Sequence, residues 1–251
     1  MEQFRAWAVT HPGTVRDHNE DVYVNRPDLG LWAVADGAGG HDAGEVASGL
    51  IATALDSIPP ELSAEETLTQ VRMRMAATHA ALRERAARKG HGMIASTVVV
   101  LIARHGHFAC LWAGDSRAYL LRDGALARVT RDHSLVQELV DGGQITDAEA
   151  EHHPHANVIT RAVGAESDMV ELDKVTDRLV DGDRFLLCSD GLSKELSDAE
   201  MLEILRTHDL APAAARLVDA ALVRKARDNV TAVVLEIVAE RPFGSLQSLQ
   251  I

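Results

Sequence analysis

The stretch HFACLWAGDSRAYLLRDGALARVT, residues 107–130, decides the fold. Three runs within it, 107–113, 118–122 and 125–130, are short, largely apolar and bounded by Gly and Asp, as strands are. Asp123-Gly124 separates the second from the third and is a type I′ hairpin signal. This part of the chain therefore reads as antiparallel sheet. Working outward, runs of the same kind lie at 4–10, 21–25, 31–35, 94–103, 184–188 and 230–238.

Helical periodicity interrupts them twice. Val46, Ala47, Leu50, Ile51, Ala54 and Leu55 form one apolar stripe; Leu68, Val71, Met75, His79, Leu82 and Ala86 form a second, with Ser63 and Glu66 as a capping box in front. Two later helices are expected near 198–206 and 212–225, the second with Pro212 at its start. Strands, two helices, a long antiparallel run, two helices and a final strand make an α+β order, not the alternation of a parallel doubly wound sheet. The expected architecture is two packed antiparallel sheets flanked by helix pairs. Residues 142–160 carry little periodicity and several loop formers, and read as a long surface excursion.

Composition bounds the function. The 251 residues carry 38 Asp+Glu against 25 Lys+Arg, a formal charge of −13. Nucleic acid and anionic membrane surfaces are bound by Lys/Arg excess, so neither is an expected partner. The excess acid is either plain surface solubility or, in part, a set of ligands for hard cations. Cys110 and Cys188 lie inside apolar runs and read as reduced, buried thiols. The N-terminal residues lack a basic segment followed by an apolar one, and the longest uncharged run, 93–103, is about half the ~20 residues a membrane span needs. A cytoplasmic protein is expected.

The informative pattern is where the acids fall. Glu20-Asp21 precede a strand; Asp36-Gly37, Asp115 and Asp190-Gly191 each follow one; Asp228-Asn229 precede the last. Any one of these is a turn residue on its own. If the strand ends meet at one edge, however, several carboxylates share a site and cannot all stay ionised without compensation. Divalent cations supply it, and all-oxygen ligation suits Mg²⁺ or Mn²⁺ over Zn²⁺.

Read in order, Arg16-Asp17-His18-Asn19-Glu20-Asp21, Ala35-Asp36-Gly37-Ala38-Gly39-Gly40-His41, Gly114-Asp115-Ser116-Arg117, Ser189-Asp190-Gly191-Leu192 and Asp228-Asn229-Val230-Thr231 resemble the metal-dependent protein phosphatases of the 2C type (PPM family), specifically the small bacterial Ser/Thr phosphatases. Thr130-Arg131-Asp132-His133-Ser134 and Asn157-Val158-Ile159-Thr160-Arg161 match as well, so the resemblance runs from about residue 5 to residue 238. It implies a four-layer αββα sandwich, one phosphatase catalytic domain over residues 1–240, and a short tail over 241–251.

Carried onto this chain, the resemblance implies that Asp36 bridges two Mn²⁺ or Mg²⁺ ions. Asp190 and Asp228 complete the first ion's site; the Gly37 carbonyl and Asp21, with Glu20 acting through water, serve the second. Asp115 with Asp190 is similar to a third, weaker site, giving two or three ions per chain. Arg16 would hold the substrate phosphate and His41 would protonate the leaving group. The chemistry fits: phosphomonoesters resist unaided hydrolysis, paired ions ~3.5–4 Å apart activate a water and neutralise phosphoryl oxygens, Arg is a planar bidentate clamp, and a histidine titrating near neutrality can protonate an alkoxide. No covalent phosphoenzyme is required, so neither cysteine is expected to be a nucleophile.

The implied activity is hydrolysis of phosphoserine and phosphothreonine on proteins, opposing a Ser/Thr kinase, by a monomer. A catalytically silent phosphoprotein-binding module and a phosphatase of anti-sigma-antagonist proteins are the alternatives. The complete acidic set argues against the first, and the Arg16 and His41 motifs against the second. One departure is Ala38, where the bacterial members commonly have Met; altered packing at the metal rim is expected from it. His79 reads as a packed core or interface histidine, His152, His153 and His155 as solvated loop residues with a substrate contact left open, and Arg117, Arg161 and Asp132 as structural braces.

Overall fold

The computed structural model describes residues 3–39, 43–89 and 92–238. Strands β1 (Gln3–His11), β11 (Val230–Val238), β10 (Arg184–Cys188), β7 (Arg117–Arg122) and β8 (Ala125–Arg128) lie side by side in one sheet. The second sheet runs β2 (Asp21–Arg26), β3 (Leu31–Ala38), β5 (Val98–Arg104), β6 (His107–Ala113) and β9 (Asp173–Arg178), with short β4 (Ala95–Ser96) also paired to β3. Every pairing is antiparallel. Helices α1 (Ala43–Asp56) and α2 (Ala64–Lys89) cover the second sheet, and α6 (Asp198–Thr207) and α7 (Leu210–Val223) cover the first. Among the described residues, three short helices complete the set: α3 (Leu135–Asp141), α4 (Asp147–Ala150) and α5 (Asp190–Ser193). This is the four-layer α+β sandwich expected from the sequence.

The β7–β8 hairpin turns where its dipeptide dictates. Asp123 and Gly124 both have positive φ, 52° and 77°, as a type I′ turn demands, and Arg122 pairs with Ala125 across it. The central strands are buried on both faces, which is why β5 is an unbroken apolar run. Trp32, Val34, Val99, Leu101, Phe185, Leu187, Val233 and Leu235 fill the space between the sheets, while their neighbours Leu31, Ala33, Val100 and Ile102 face α1 and α2. Phe108 and Phe185 meet edge to face across the sheet interface at 5.0 Å. Each fully buried Leu, Val or Phe adds about 1.5–3 kcal/mol relative to exposure, so this layer locks the two sheets together. Cys110 and Cys188 are free and buried, with burial pushing both thiols up.

The helices start where their capping residues stand. Ser63 Oγ accepts from Glu66 N at 3.2 Å and Glu66 accepts from Ser63 N at 2.8 Å, the capping box expected before α2. His79 is buried on that helix, its Nδ1 accepting from Gly164 N and its Nε2 facing the Ser167 carbonyl, both at 2.9 Å. It therefore pins the 164–167 segment to α2.

Five local features differ from expectation. β9, with the sequence DKVTDR, is exposed at every position and carries no apolar alternation. The excursion at 142–160 contains α4, set by a Thr146–Glu149 capping box. Helix α7 begins at Leu210, which places Pro212 within its first turn, where the missing N–H is unneeded. The strand expected over 94–103 is interrupted at Thr97, and the last hairpin strand ends at Arg128, short of residue 130.

Candidate active site

The acidic strand ends do meet. Asp21 opens β2 and lies directly opposite Asp36 on β3. Asp115 follows β6, Asp190 follows β10, and Asp228 precedes β11. Antiparallel pairing places these starts and finishes at one end of both sheets, so the site straddles the sandwich. Asp36 feels the charges of Asp21, Asp190, Asp115 and Asp228 together.

Asp21 is the deepest member, 4% exposed. Its Oδ2 accepts hydrogen bonds from Ser189 Oγ and Thr231 Oγ1, both at 2.7 Å, which ties the second sheet to the first. The relay continues outward: Thr10 Oγ1 is 2.7 Å from Thr231 Oγ1, and Asn19 Nδ2 donates to Thr10 Oγ1 at 2.8 Å. Its other oxygen, Oδ1, is buried without a hydrogen-bond partner. Burial, followed by the repulsion of Asp190 and Asp228, raises its pKa to about 7 against the opposing pull of the two hydroxyls. Burial likewise lifts Asp115 to about 7, with Asp190 adding to it. Asp36 is only half-buried by exposure but densely enclosed by protein, and that burial plus four carboxylates holds its pKa well above the ordinary range.

Backbone contacts position the rest. Thr97, at the break between β4 and β5, donates its N–H to the Asp36 carbonyl at 2.8 Å and accepts from Asp36 N through Oγ1 at 3.2 Å. Its hydroxyl also meets Ser116 Oγ at 2.7 Å, beside Asp115. Asn229 clamps the loop that carries Arg16: Nδ2 donates to the Pro12 and His18 carbonyls at 3.0 Å each, and Oδ1 accepts from Glu20 N at 2.8 Å. The Glu20 carboxylate accepts from Gly44 and Glu45 N–H groups at the start of α1, where the helix dipole favours an anion. A Cβ at Gly44 would stand 2.6 Å from that carboxylate, and one at Gly37 would stand 2.2 Å from the Gly44 carbonyl. Glycine at both positions lets α1 press onto the end of β3. Burial still raises Glu20 above the ordinary carboxylate value.

Two cations face the acids. Arg16, at the rim, bridges Asp228 bidentately, with Nε to Oδ1 and Nη2 to Oδ2 both at 3.0 Å, and both side chains about half exposed. Lys194, one turn after Asp190 and capping α5, bonds Asp190 Oδ2 and Asn157 Oδ1, and its Nζ is 4.0 Å from Asp115 Oδ2. A groove of ≈ 790 Å³ opens beside it, between the 142–160 excursion and α5, lined by Asp115, Arg117, Asp132, Asn157, Asp190 and Lys194 among others. Among the described residues, no three His, Cys, Asp or Glu side chains already enclose a single point.

Arg117 grips Asp132 through three contacts of 2.6–3.1 Å and also reaches Tyr119 Oη, while Arg161 bonds Asp173 at 2.8 Å. Both arginines brace structure, as does Asp132. His133 Nε2 lies 3.2 Å from Asp173 and its ring stacks on Trp112. His152, His153 and His155 sit on the excursion, with the rings of the last two 5.6 Å apart. His41 and the tail over 241–251 lie outside the described residues. Sequence reasoning missed Thr97, Gly44 and Lys194, and named Asn229 only within a motif, without a role. Only Lys194 left a usable signal there, its i, i+4 spacing from Asp190.

The family model for Protein phosphatase 2C matches residues 15–232. The chain is 39% identical over 240 residues to the serine/threonine protein phosphatase PstP of Mycobacterium tuberculosis, covering 94% of this chain and 45% of that protein. It thus spans under half the length of that relative. Among solved structures it superposes on PppA, described as a key regulatory component of T6SS in Pseudomonas aeruginosa, with TM-score 0.87 and 42% identity over 94% of this chain and 98% of that one. The catalytic domain of PstP in complex with two manganese ions superposes with TM-score 0.86 and 36% identity, over 95% of this chain and 100% of that one. The chain belongs to the protein phosphatase 2C family.

Proposed function

We propose that this chain hydrolyses phosphoserine and phosphothreonine in proteins with the aid of two divalent cations, Mn²⁺ or Mg²⁺, and thereby opposes a Ser/Thr protein kinase. The observation that carries this reading is the convergence of Asp21, Asp36, Asp115, Asp190 and Asp228 beneath an exposed arginine. Two features fit a cation there. Asp21 Oδ1 is buried without a partner, and Asp36 is crowded by like charges that a cation would neutralise. The donors are all oxygens, the set hard cations prefer. Asp36, Asp190, Asp228 and the Gly37 carbonyl would hold the ions, with Glu20 and Asp21 behind them.

When bound, the ions supply an activated water and neutralise phosphoryl oxygens. The protein's own residues do the rest. Arg16 presents a planar fork at the rim, and its pairing with the half-exposed Asp228 is worth little in water. A phosphate dianion can therefore claim it, which binds and orients the phosphoryl group. The hydroxyls of Ser189 and Thr231 hold Asp21 in one orientation and keep the site preorganised. His41 is proposed as the proton donor to the leaving alkoxide. Cys110 and Cys188 take no part: both are buried, with thiols held in the protonated form.

The test is phosphate release from a phosphothreonine peptide, measured with Mn²⁺ and with EDTA. Turnover in Mn²⁺ and its loss in EDTA are expected. Absence of Mn²⁺-dependent release from a folded sample overturns the proposal.

A further inference from the structure

We infer that Lys194 is a built-in replacement for a third cation: its ammonium stands between Asp115 and Asp190, positions Asp190, and limits the site to two divalent ions. The inference rests on the metal-dependent reading above. The resemblance in sequence implied a third ion at Asp115 with Asp190, and the residues there do not fit one. Lys194 Nζ bonds Asp190 Oδ2, lies 4.0 Å from Asp115 Oδ2, and donates to Asn157 Oδ1 at 2.7 Å. An ammonium has three donors, and this one has three acceptors around it. A divalent ion entering the same space would meet a positive charge within a few ångströms and find one Asp190 oxygen already taken.

The other cation at the site differs in kind. Arg16 and Asp228 are 54% and 47% exposed, whereas the Asp115 and Asp190 side chains that face Lys194 are 9% and 15% exposed. Water and salt screen the first pair and reach the second far less. The Lys194 contact engages Asp190 Oδ2, so Oδ1 lies outside that contact. Through Asn157 the same ammonium also tethers the 142–160 excursion to a candidate metal ligand. Lys194 acts through Asp190 and is a positioning residue.

The experiment is the Mn²⁺ stoichiometry of the purified chain, read by isothermal titration calorimetry and checked by metal analysis, for the wild type, Lys194→Asp and Lys194→Arg. Circular dichroism establishes that each is folded, and Lys194→Ala stands in should Lys194→Asp fail to fold. Two ions are expected in the wild type and in Lys194→Arg, which keeps the charge. A third, weaker ion is expected once the charge is removed. Three ions in the wild type, or only two after loss of the charge, overturns the inference. A folded wild type that takes no Mn²⁺ overturns the proposed function instead, so the two failures are distinguishable.

Discussion

Replacing Asp21 by Asn should change stability in opposite directions at low and high pH when no divalent ion is present. Asp21 has a folded pKa of about 7 against an ordinary value of 3.8. The folded chain therefore holds this proton more tightly than the unfolded chain, and ion-free stability falls as pH rises from about 4 through about 7. A displacement of roughly three pH units at ~1.4 kcal/mol each sets an upper limit of ~4 kcal/mol for the cost of ionising Asp21 in the fold. Asp36 and Asp115 titrate in the same field, so about half of that, ~2 kcal/mol, is a reasonable share for Asp21 alone. Asn cannot ionise and still accepts from the Ser189 and Thr231 hydroxyls. It also places an amide N–H where Asp21 Oδ1 has no partner, at a cost of about 1–3 kcal/mol. In EDTA, Asp21→Asn should be destabilised by ~1–2 kcal/mol at pH 5 and matched to or stabilised over the wild type at pH 8. At about 2–4 °C per kcal/mol for a chain of this size, the Tm difference between variant and wild type should swing by roughly 4–8 °C between the two pH values. Thermal melts followed by circular dichroism read this directly. An equal Tm shift at both pH values would refute the reasoning, because it would mean that the buried carboxyl is not held protonated by its surroundings.

Two further outcomes follow from the same geometry. Arg16→Ala should chiefly raise KM for a phosphothreonine peptide, lowering kcat/KM by about 10–100-fold, the worth of a charge-assisted hydrogen-bonded pair, in steady-state kinetics with saturating Mn²⁺. Gly44→Ala gains up to ~1 kcal/mol of helix propensity but places a Cβ 2.6 Å from the Glu20 carboxylate; overpacking should win, with a net loss of ~1–2 kcal/mol in urea unfolding.

The architecture was legible because its signals are local and strong. Asp123-Gly124 forced a reversal between two apolar runs, and the Ser63–Glu66 box announced α2. β9 escaped because it is an exposed edge strand whose pairing with β6 is carried by backbone alone, so its side chains obey no pattern. Helix α4 escaped for a similar reason: it is one turn long, buries nothing, and only the Thr146–Glu149 box betrays it. The candidate ligands were visible as acids at strand ends, whereas their convergence was not, since it depends on two sheets packing in one register. The supporting groups were less visible still. Thr97 and Gly44 act through backbone contacts to residues far along the chain, and nothing in their local sequence distinguishes them from ordinary turn or helix positions; Asn229 stood in a motif, but its clamp on the 12–20 loop depends on the fold. Lys194 shows in the sequence only an i, i+4 spacing from Asp190, and its approach to Asp115 and Asn157 depends on the fold.

The central claim is that the acids at the strand ends form one cation-dependent hydrolytic site organised around Asp36. Its most direct test is a Mn²⁺ titration of phosphate release from a phosphothreonine peptide, run side by side on the wild type and Asp36→Asn. The account predicts a saturable rate for the wild type and none above background for the variant at any Mn²⁺ concentration. A folded Asp36→Asn chain that reaches the wild-type rate would contradict it.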